Sequence, residues 1–327
     1  MNFIKKTIIC IFLFIILNNI KAIEIPFILK CTRAVALGEA FTAIADDENA
    51  GSYNPAGIIY NNENKISLSG KIFSYNFDNE NYINNSINMN CIFKKNFGVQ
   101  INYGTFGDNI SLSPEKNFIY EGIKIILSFA RIISDNLSAG LNGNVLVQTG
   151  KAGGASFDFG LLYKINNYLN AGVFINNIIY SGNFLIIDDY GNVRIITYPE
   201  FINAGISARP YDFLLFSFEI KNLFGESCFF VDTNTEEKIS FNFKRSYHLG
   251  VEYKVLKNMA LRTGISAKED IYDFEYLDNF KMRYEIAFGI GYKIDFLQFD
   301  FTVANDFRQV KEIKNPFQFY FSISGSY

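Results

Sequence analysis

At 327 residues, with 49% hydrophobic and 19% charged content and a mean hydropathy of +0.08, the chain is too polar for a bundle of membrane helices. It is long for one soluble domain but ordinary for a barrel of many short strands. Thirty-five Phe and 20 Tyr without a Trp favour strands and suit a membrane interface, and a formal charge of −3 gives no basic face for nucleic acid.

The chain opens on a targeting pattern. Lys5 and Lys6 precede an apolar run from Thr7 to Leu17, which Asn18, Asn19 and Lys21 break before Ala22. This predicts a signal peptide over residues 1–22, cut near Ala22 although Ile20 is large for the −3 position. An anchor helix is the alternative, but the run is short of the ~20 apolar residues a span needs. Cleavage removes three lysines and no acid, so the formal charge goes from −3 to −6. Cys10 leaves as well, and Cys31, Cys91 and Cys228 are spaced for neither a disulfide framework nor a metal site.

Residues 23–64 form a separate segment, and within it residues 24–60 lack alternation. Arg33 to Asp46 mixes small and apolar residues and reads as a short helix or compact coil with Gly38 near its start. Asn54-Pro55-Ala56-Gly57 is turn chemistry.

From residue 65 to 327 large apolar residues alternate with small or polar ones. Phe97, Val99, Ile101 and Tyr103 stand against Gly98, Gln100 and Asn102. Tyr284, Ile286, Phe288, Ile290 and Tyr292 stand against Glu285, Ala287, Gly289 and Gly291. The second face is rich in Gly, Asn and Ser, which suits a crowded or hydrated lumen better than bulk water. Strands are expected near 66–77, 85–93, 97–106, 119–133, 137–148, 156–164, 169–176, 201–208, 213–222, 246–255, 259–267, 283–293, 296–307 and 316–327. The first changes phase between Ile72 and Phe73, as at a bulge. Short links alternate with long ones, the long ones including 149–155, 177–200 and 223–245. Together these predict an all-β fold, a transmembrane antiparallel β-barrel of about 14 strands with an N-terminal plug segment. The last strand puts Phe317, Phe319, Phe321, Ile323 and Tyr327 in one phase. Phe319, Phe321 and the terminal Tyr327 resemble the C-terminal signal read by the barrel-assembly machinery.

The string RAVALGEAFTAIADDENAGSYNPAGI, residues 33–58, resembles the N-terminal signature of the FadL-type long-chain fatty-acid transporters. It is similar as well to the PorV/PorQ family of outer-membrane proteins. The shared features are Arg33-Ala34, the small-residue run Glu39 to Ala43, the acidic pair Asp46-Asp47 and Asn54 to Gly57. Glu39 stands where those families often have Gly. The resemblance implies a fourteen-stranded barrel plugged by its N-terminal segment.

Asp46 and Asp47 fit a cation, a luminal Arg, or a solvated turn. Arg33 has three candidate partners, Glu252, Glu285 and Asp300. Asn54, Pro55 and Ala56 fit a gating turn or a plain structural one. His248 faces the lumen as one polar wall residue, and the sequence offers it no Ser or Cys partner at a suggestive position. The run Thr149 to Ser156 lacks the order of a phosphate loop and reads as an outer loop. No cofactor, metal or catalytic constellation is expected, so the chain reads as a non-enzyme. Three functions compete: passage of a hydrophobic small molecule, with apolar loops 177–188 and 223–231 as an intake patch; a secretion or surface-assembly component that docks exported proteins; and a soluble secreted adhesin. Both barrel readings place the protein in the bacterial outer membrane, in contact with its lipid.

Overall fold

The computed structural model describes residues 30–75, 86–93, 96–106, 120–148, 153–182, 184–187, 193–197, 201–224, 227–232, 238–242, 245–271, 280–308 and 317–327. The signal peptide expected over residues 1–22 lies outside the described residues. Among the described residues two short helices, α1 (Thr32–Ala36) and α2 (Ala50–Tyr53), and a 3-10 helix (Pro55–Tyr60) come first. Eighteen strands follow: β1 (Lys65–Tyr75), β2 (Ser86–Phe93), β3 (Phe97–Phe106), β4 (Tyr120–Ser134), β5 (Leu137–Gln148), β6 (Gly153–Lys164), β7 (Leu169–Gly182), β8 (Phe184–Ile187) and β9 (Val193–Thr197). The rest are β10 (Phe201–Tyr211), β11 (Leu214–Lys221), β12 (Ser227–Asp232), β13 (Lys238–Asn242), β14 (Ser246–Leu256), β15 (Met259–Ile271), β16 (Phe280–Ile294), β17 (Leu297–Arg308) and β18 (Phe317–Ser326).

Fourteen of these close into an antiparallel barrel, in the order β1 to β7, β10, β11 and β14 to β18, with β18 pairing back onto β1 from Lys65↔Ser326 to Tyr75↔Phe317. Closure leaves no unpaired strand edge, which is how a sheet crosses hydrocarbon, where an unmade backbone hydrogen bond costs several kcal/mol. No helix of the described residues is long and apolar enough to cross a membrane. The pleat sorts the side chains: Phe288 is 64% exposed on the outer face, whereas its neighbour Ala287 is 1% exposed toward the lumen. Leu68, Leu141, Phe157, Phe216, Leu249 and Phe301 share the outer apolar face. The expected bulge of β1 is present, as a register shift between Lys71 and Phe73 against β18.

Three sequence expectations need correction. Links 177–200 and 223–245 are not irregular loops. Strand β7 runs on to Gly182, and the links carry hairpins β8–β9 and β12–β13, which join through β9 and β12 into a second, four-stranded sheet. These links were expected as apolar loops because each run is too short to alternate convincingly. Of the run at 149–156, expected as an outer loop, residues 153–156 belong to β6, and 149–152 lie outside the described residues. Gly38 ends a helix rather than starting one. Its φ is +62°, Gly38 N–H donates to Val35 O at 2.9 Å and Glu39 N–H to Ala34 O at 2.8 Å, the paired bonds of a left-handed helix stop.

The apolar core lies inside the barrel, between residues 31–60 and the wall. Cys31, Ala34, Leu37, Phe41, Ile44, Tyr53 and Ile58 cluster with Ile92, Ala130 and Leu215 of the wall. Phe41 and Tyr53 meet edge to face at 5.2 Å between ring centres. A barrel of ~14 strands is too wide for wall side chains to fill, and here the chain's own leading segment fills it.

Candidate functional site

The plug is held to the wall through polar groups of three kinds. The first is Glu219 on β11, 1% exposed, which points inward by the alternation of its strand. Its carboxylate accepts from Phe41 N–H at 2.7 Å, Thr42 N–H at 2.8 Å and the Thr42 hydroxyl at 2.8 Å. These donors lie just beyond the helix stop at Gly38–Glu39, where the chain has no secondary structure of its own to satisfy them.

The second is a charge network. Arg33 contacts Glu252 through Nε at 2.9 Å and Nη2 at 3.3 Å, and through Nη1 it contacts Asp46 at 2.6 Å and Asp47 at 3.1 Å. Glu252 is shared with Arg262, whose Nε lies 2.7 Å away and whose Nη1 bonds Asp300. Lys30 lies 3.1 Å from Glu285 and 3.2 Å from Glu39, and Lys221 lies 3.0 Å from Glu39. Of the three candidate acids for Arg33, Glu252 is its partner, while Glu285 and Asp300 serve Lys30 and Arg262. Asp46 also lies 3.5 Å from Arg209 of β10. The acidic pair is therefore answered by arginines.

The third kind is neutral. Asn54, fully buried, caps the 3-10 helix by accepting from Ala56 N–H at 3.1 Å, with Pro55 at the first helical position. Its amide donates to Thr42 O and to Leu161 O of β6, both at 2.9 Å. Ser138 donates to Ala56 O at 3.0 Å and Ser207 to Ala43 O at 2.9 Å. Asn54, Pro55 and Ala56 thus sit at a seam between plug and wall. His248 is fully buried, with Nδ1 at 2.6 Å from Gly38 O and Nε2 at 2.8 Å from Ser246 Oγ. A carbonyl only accepts, so Nδ1 carries the proton and Nε2 accepts the Ser246 hydroxyl. The expectation that His248 lacks a Ser partner is corrected: residues two apart on a strand share a face.

Wall glycines set how close the plug comes. Gly264 lies between Gly250 and Ala287 on neighbouring strands, and a Cβ there would overlap the backbone of Leu37 and Gly38. Phe319, Phe321 and Tyr327 lie on β18 and at the chain end, with Phe321 and Tyr327 exposed on the outside.

One plug acid is poised to titrate. Burial first, and then the neighbouring Asp47, push the Glu48 carboxyl up to about 7. Burial also raises Asp47, against the pull of Arg33. A raised acid favours the docked plug when neutral. Docking is therefore tightest below the ordinary carboxyl range near 4.5 and weakens as pH rises through about 7. Amide exchange over residues 47–53, corrected for intrinsic rates, is expected to be slower at pH 5.5 than at pH 8 by about tenfold. Glu48→Gln is expected to remove that difference; an unchanged difference would assign it to another group.

No family model matches the sequence, and no curated protein matches it either. Solved structures do match in fold. A structure described as the CymD monoaromatic hydrocarbon channel aligns over 93% of this chain and 99% of its own, at 14% identity and a TM-score of 0.63. A Pseudomonas aeruginosa FadL homologue aligns over 91% and 99%, at 12% identity and a TM-score of 0.62. The fold is that of a FadL-type barrel. The Pseudomonas putida toluene transporter TodX shares it at 13% identity and a TM-score of 0.55, over 88% of this chain and 96% of its own. At these identities the likeness fixes architecture and leaves the site to be argued from residues.

Sequence reasoning missed Glu219, Lys30, Lys221 and Gly264 as plug contacts, and Arg262 as the wall partner of Glu252 and Asp300. The inward phase of Glu219 and Arg262 was visible as a charge on the luminal face of an alternating strand. The backbone donors that Glu219 meets carry no sequence signature.

Proposed function

We propose that this chain is a plugged outer-membrane channel that admits hydrophobic small molecules, with long-chain fatty acids as the ligand class implied by its N-terminal signature. The observation that carries this reading is a compact leading segment docked in the lumen by hydrogen bonds and ion pairs, which are reversible. The short turns between strands belong to the periplasmic side and the long links to the outside. The solved channels of like fold support the class, since CymD is described as passing monoaromatic hydrocarbons and TodX as a toluene transporter. Signal peptidase removes residues 1–22, residues 23–64 are the plug, and the aromatic C-terminus ending in Phe319, Phe321 and Tyr327 is read by the barrel-assembly machinery.

A second reading has one observation behind it. The four-stranded sheet built from the two long links ends in strands β8 and β13, whose outer edges no described strand pairs. Such edges accept extended segments of other proteins, as a PorV-like secretion or surface-assembly component would require. Native mass spectrometry of the protein extracted from outer membranes in mild detergent separates the two. A bound fatty acid or similar apolar molecule is expected; an empty barrel carrying exported proteins would favour docking and sink the channel reading.

A further inference from the structure

Strands β1 and β2 carry the same pair of polar residues twice, one row apart. Ser67 stands directly opposite Asn90, and Ser69 directly opposite Asn88. All four are buried on the luminal face, while Leu68, Ile87 and Met89 between them are exposed on the outer one. The first row continues to Gln100 on β3 and the second to Asn102. Strand β2 ends at Phe93, beside the short link 94–96, so the row of Asn88 lies one step farther toward the long links.

The two rows differ in what they hold. In the first, Asn90 Nδ2 donates to Ser67 Oγ at 3.2 Å and to Asn49 Oδ1 of the plug at 2.7 Å. Gln100 donates to Glu48 O at 3.2 Å and accepts from the Ser52 hydroxyl at 2.7 Å. This row is a socket for polar groups of the plug. In the second, Ser69 Oγ and both Asn88 Oδ1 and Nδ2 have no hydrogen-bond partner among the described residues. Asn102 turns its amide to Lys124 O of β4 at 3.3 Å. A buried polar group without a partner is rare and costly in a folded protein. Three such atoms stand together here, one row beyond the row that the plug occupies on these strands.

We propose that Ser69 and Asn88 form the polar end of a luminal binding site for an apolar molecule whose head group both donates and accepts a hydrogen bond: an alcohol, a primary amide or an un-ionised carboxylic acid. This rests on the plugged-channel reading and adds to it where the head is held and what kind of head it is. Asn88 offers two N–H donors and a carbonyl acceptor, and the Ser69 hydroxyl can do either. A hydrocarbon satisfies none of these groups. A head that only accepts, such as an ester or an ionised carboxylate, leaves Asn88 Oδ1 bare. A primary amide pairs with Asn88 in both directions. The first row shows the same chemistry in use, since there a wall Ser–Asn pair receives the side-chain amide of Asn49.

The test compares dodecanamide with N,N-dimethyldodecanamide, which keeps the chain and the carbonyl but has no N–H. Each is titrated against the full mature protein in mild detergent and its retention read by native mass spectrometry, with heat-modifiable gel migration confirming folding. The primary amide is expected to be retained about tenfold better, the order of one or two net hydrogen bonds. Asn88→Leu, close in shape and without polar atoms, is expected to bring that ratio near one, and Ser69→Ala to reduce it. Neither substitution removes a side-chain bond within the protein, so the unliganded barrel is expected to keep or raise its unfolding midpoint in urea. A ratio near one in the native protein would mean that the pair holds water only. A ratio that survives Asn88→Leu would place the head elsewhere, and a lowered midpoint would give Asn88 a partner within the protein; each of these overturns the site. Equal retention of both amides sinks the site alone, whereas retention of neither sinks the channel reading with it.

Discussion

Replacing Glu219 by Ala is expected to strip protection from the amides of Phe41 and Thr42 and to loosen the whole plug. Three donors converge on this one carboxylate, at 2.7, 2.8 and 2.8 Å, in a site that is 1% exposed. Hydrogen bonds to a charged acceptor are worth ~1.5–3 kcal/mol each, and orphaned buried donors keep their desolvation cost. The sum is not additive, so a loss of about 3–5 kcal/mol in plug docking is expected, the range for breaking a buried charged cluster. Glu219→Gln is the informative control. Its carbonyl oxygen still accepts from the two amides, and its NH2 group donates to the Thr42 hydroxyl, so most protection should remain. Equal loss in the Ala and Gln variants would mean that net charge, and not directed acceptance, holds this side of the plug.

Gly264→Val is expected to expel the plug while leaving the wall intact. Gly264 sits on β15 between Gly250 and Ala287, forming a trough of small residues for the backbone at Leu37 and Gly38. Any Cβ there overlaps plug backbone, which cannot turn aside as a side-chain tip would. Gly38 is held in turn by its helix-stop geometry and by His248, 2.6 Å from its carbonyl. Overpacking costs ~1–3 kcal/mol where neighbours can shift, and more is expected here. The strand itself should gain, because Val has far better β propensity than Gly. The expected result is a barrel with an unchanged or raised unfolding midpoint in urea and a fully exchanging segment 30–60. A lowered midpoint with a protected plug would show that the wall had yielded.

Much of the barrel was legible in the sequence because lipid and lumen impose opposite demands on successive residues. Phe288 beside Ala287 states the rule in two positions. The phase change after Lys71 was visible for the same reason, since a bulge moves every later residue to the other face. Arg33 and the acids Glu252, Glu285 and Asp300 were recognisable as charges inside a barrel, but not their pairing, which depends on where the plug sits in the lumen. Glu219 is legible in sequence only as a charge on the luminal face of its strand, because backbone N–H groups exist at every position and do not mark themselves. Gly38 was misplaced within its helix because a glycine at positive φ and one at a helix start look alike in sequence. Strands β8, β9, β12 and β13 escaped notice because four to six residues give too few periods to separate alternation from composition.

We propose that residues 30–60 close a membrane-spanning barrel from within. Single-channel conductance in planar bilayers tests it most directly, with the mature protein compared to a variant lacking residues 30–60. The structure predicts small, intermittent conductance for the mature protein and a large, steady one for the variant, with both forms migrating as folded barrels. Equal conductance in the two would contradict the claim, because the lumen would then be closed by something other than the plug.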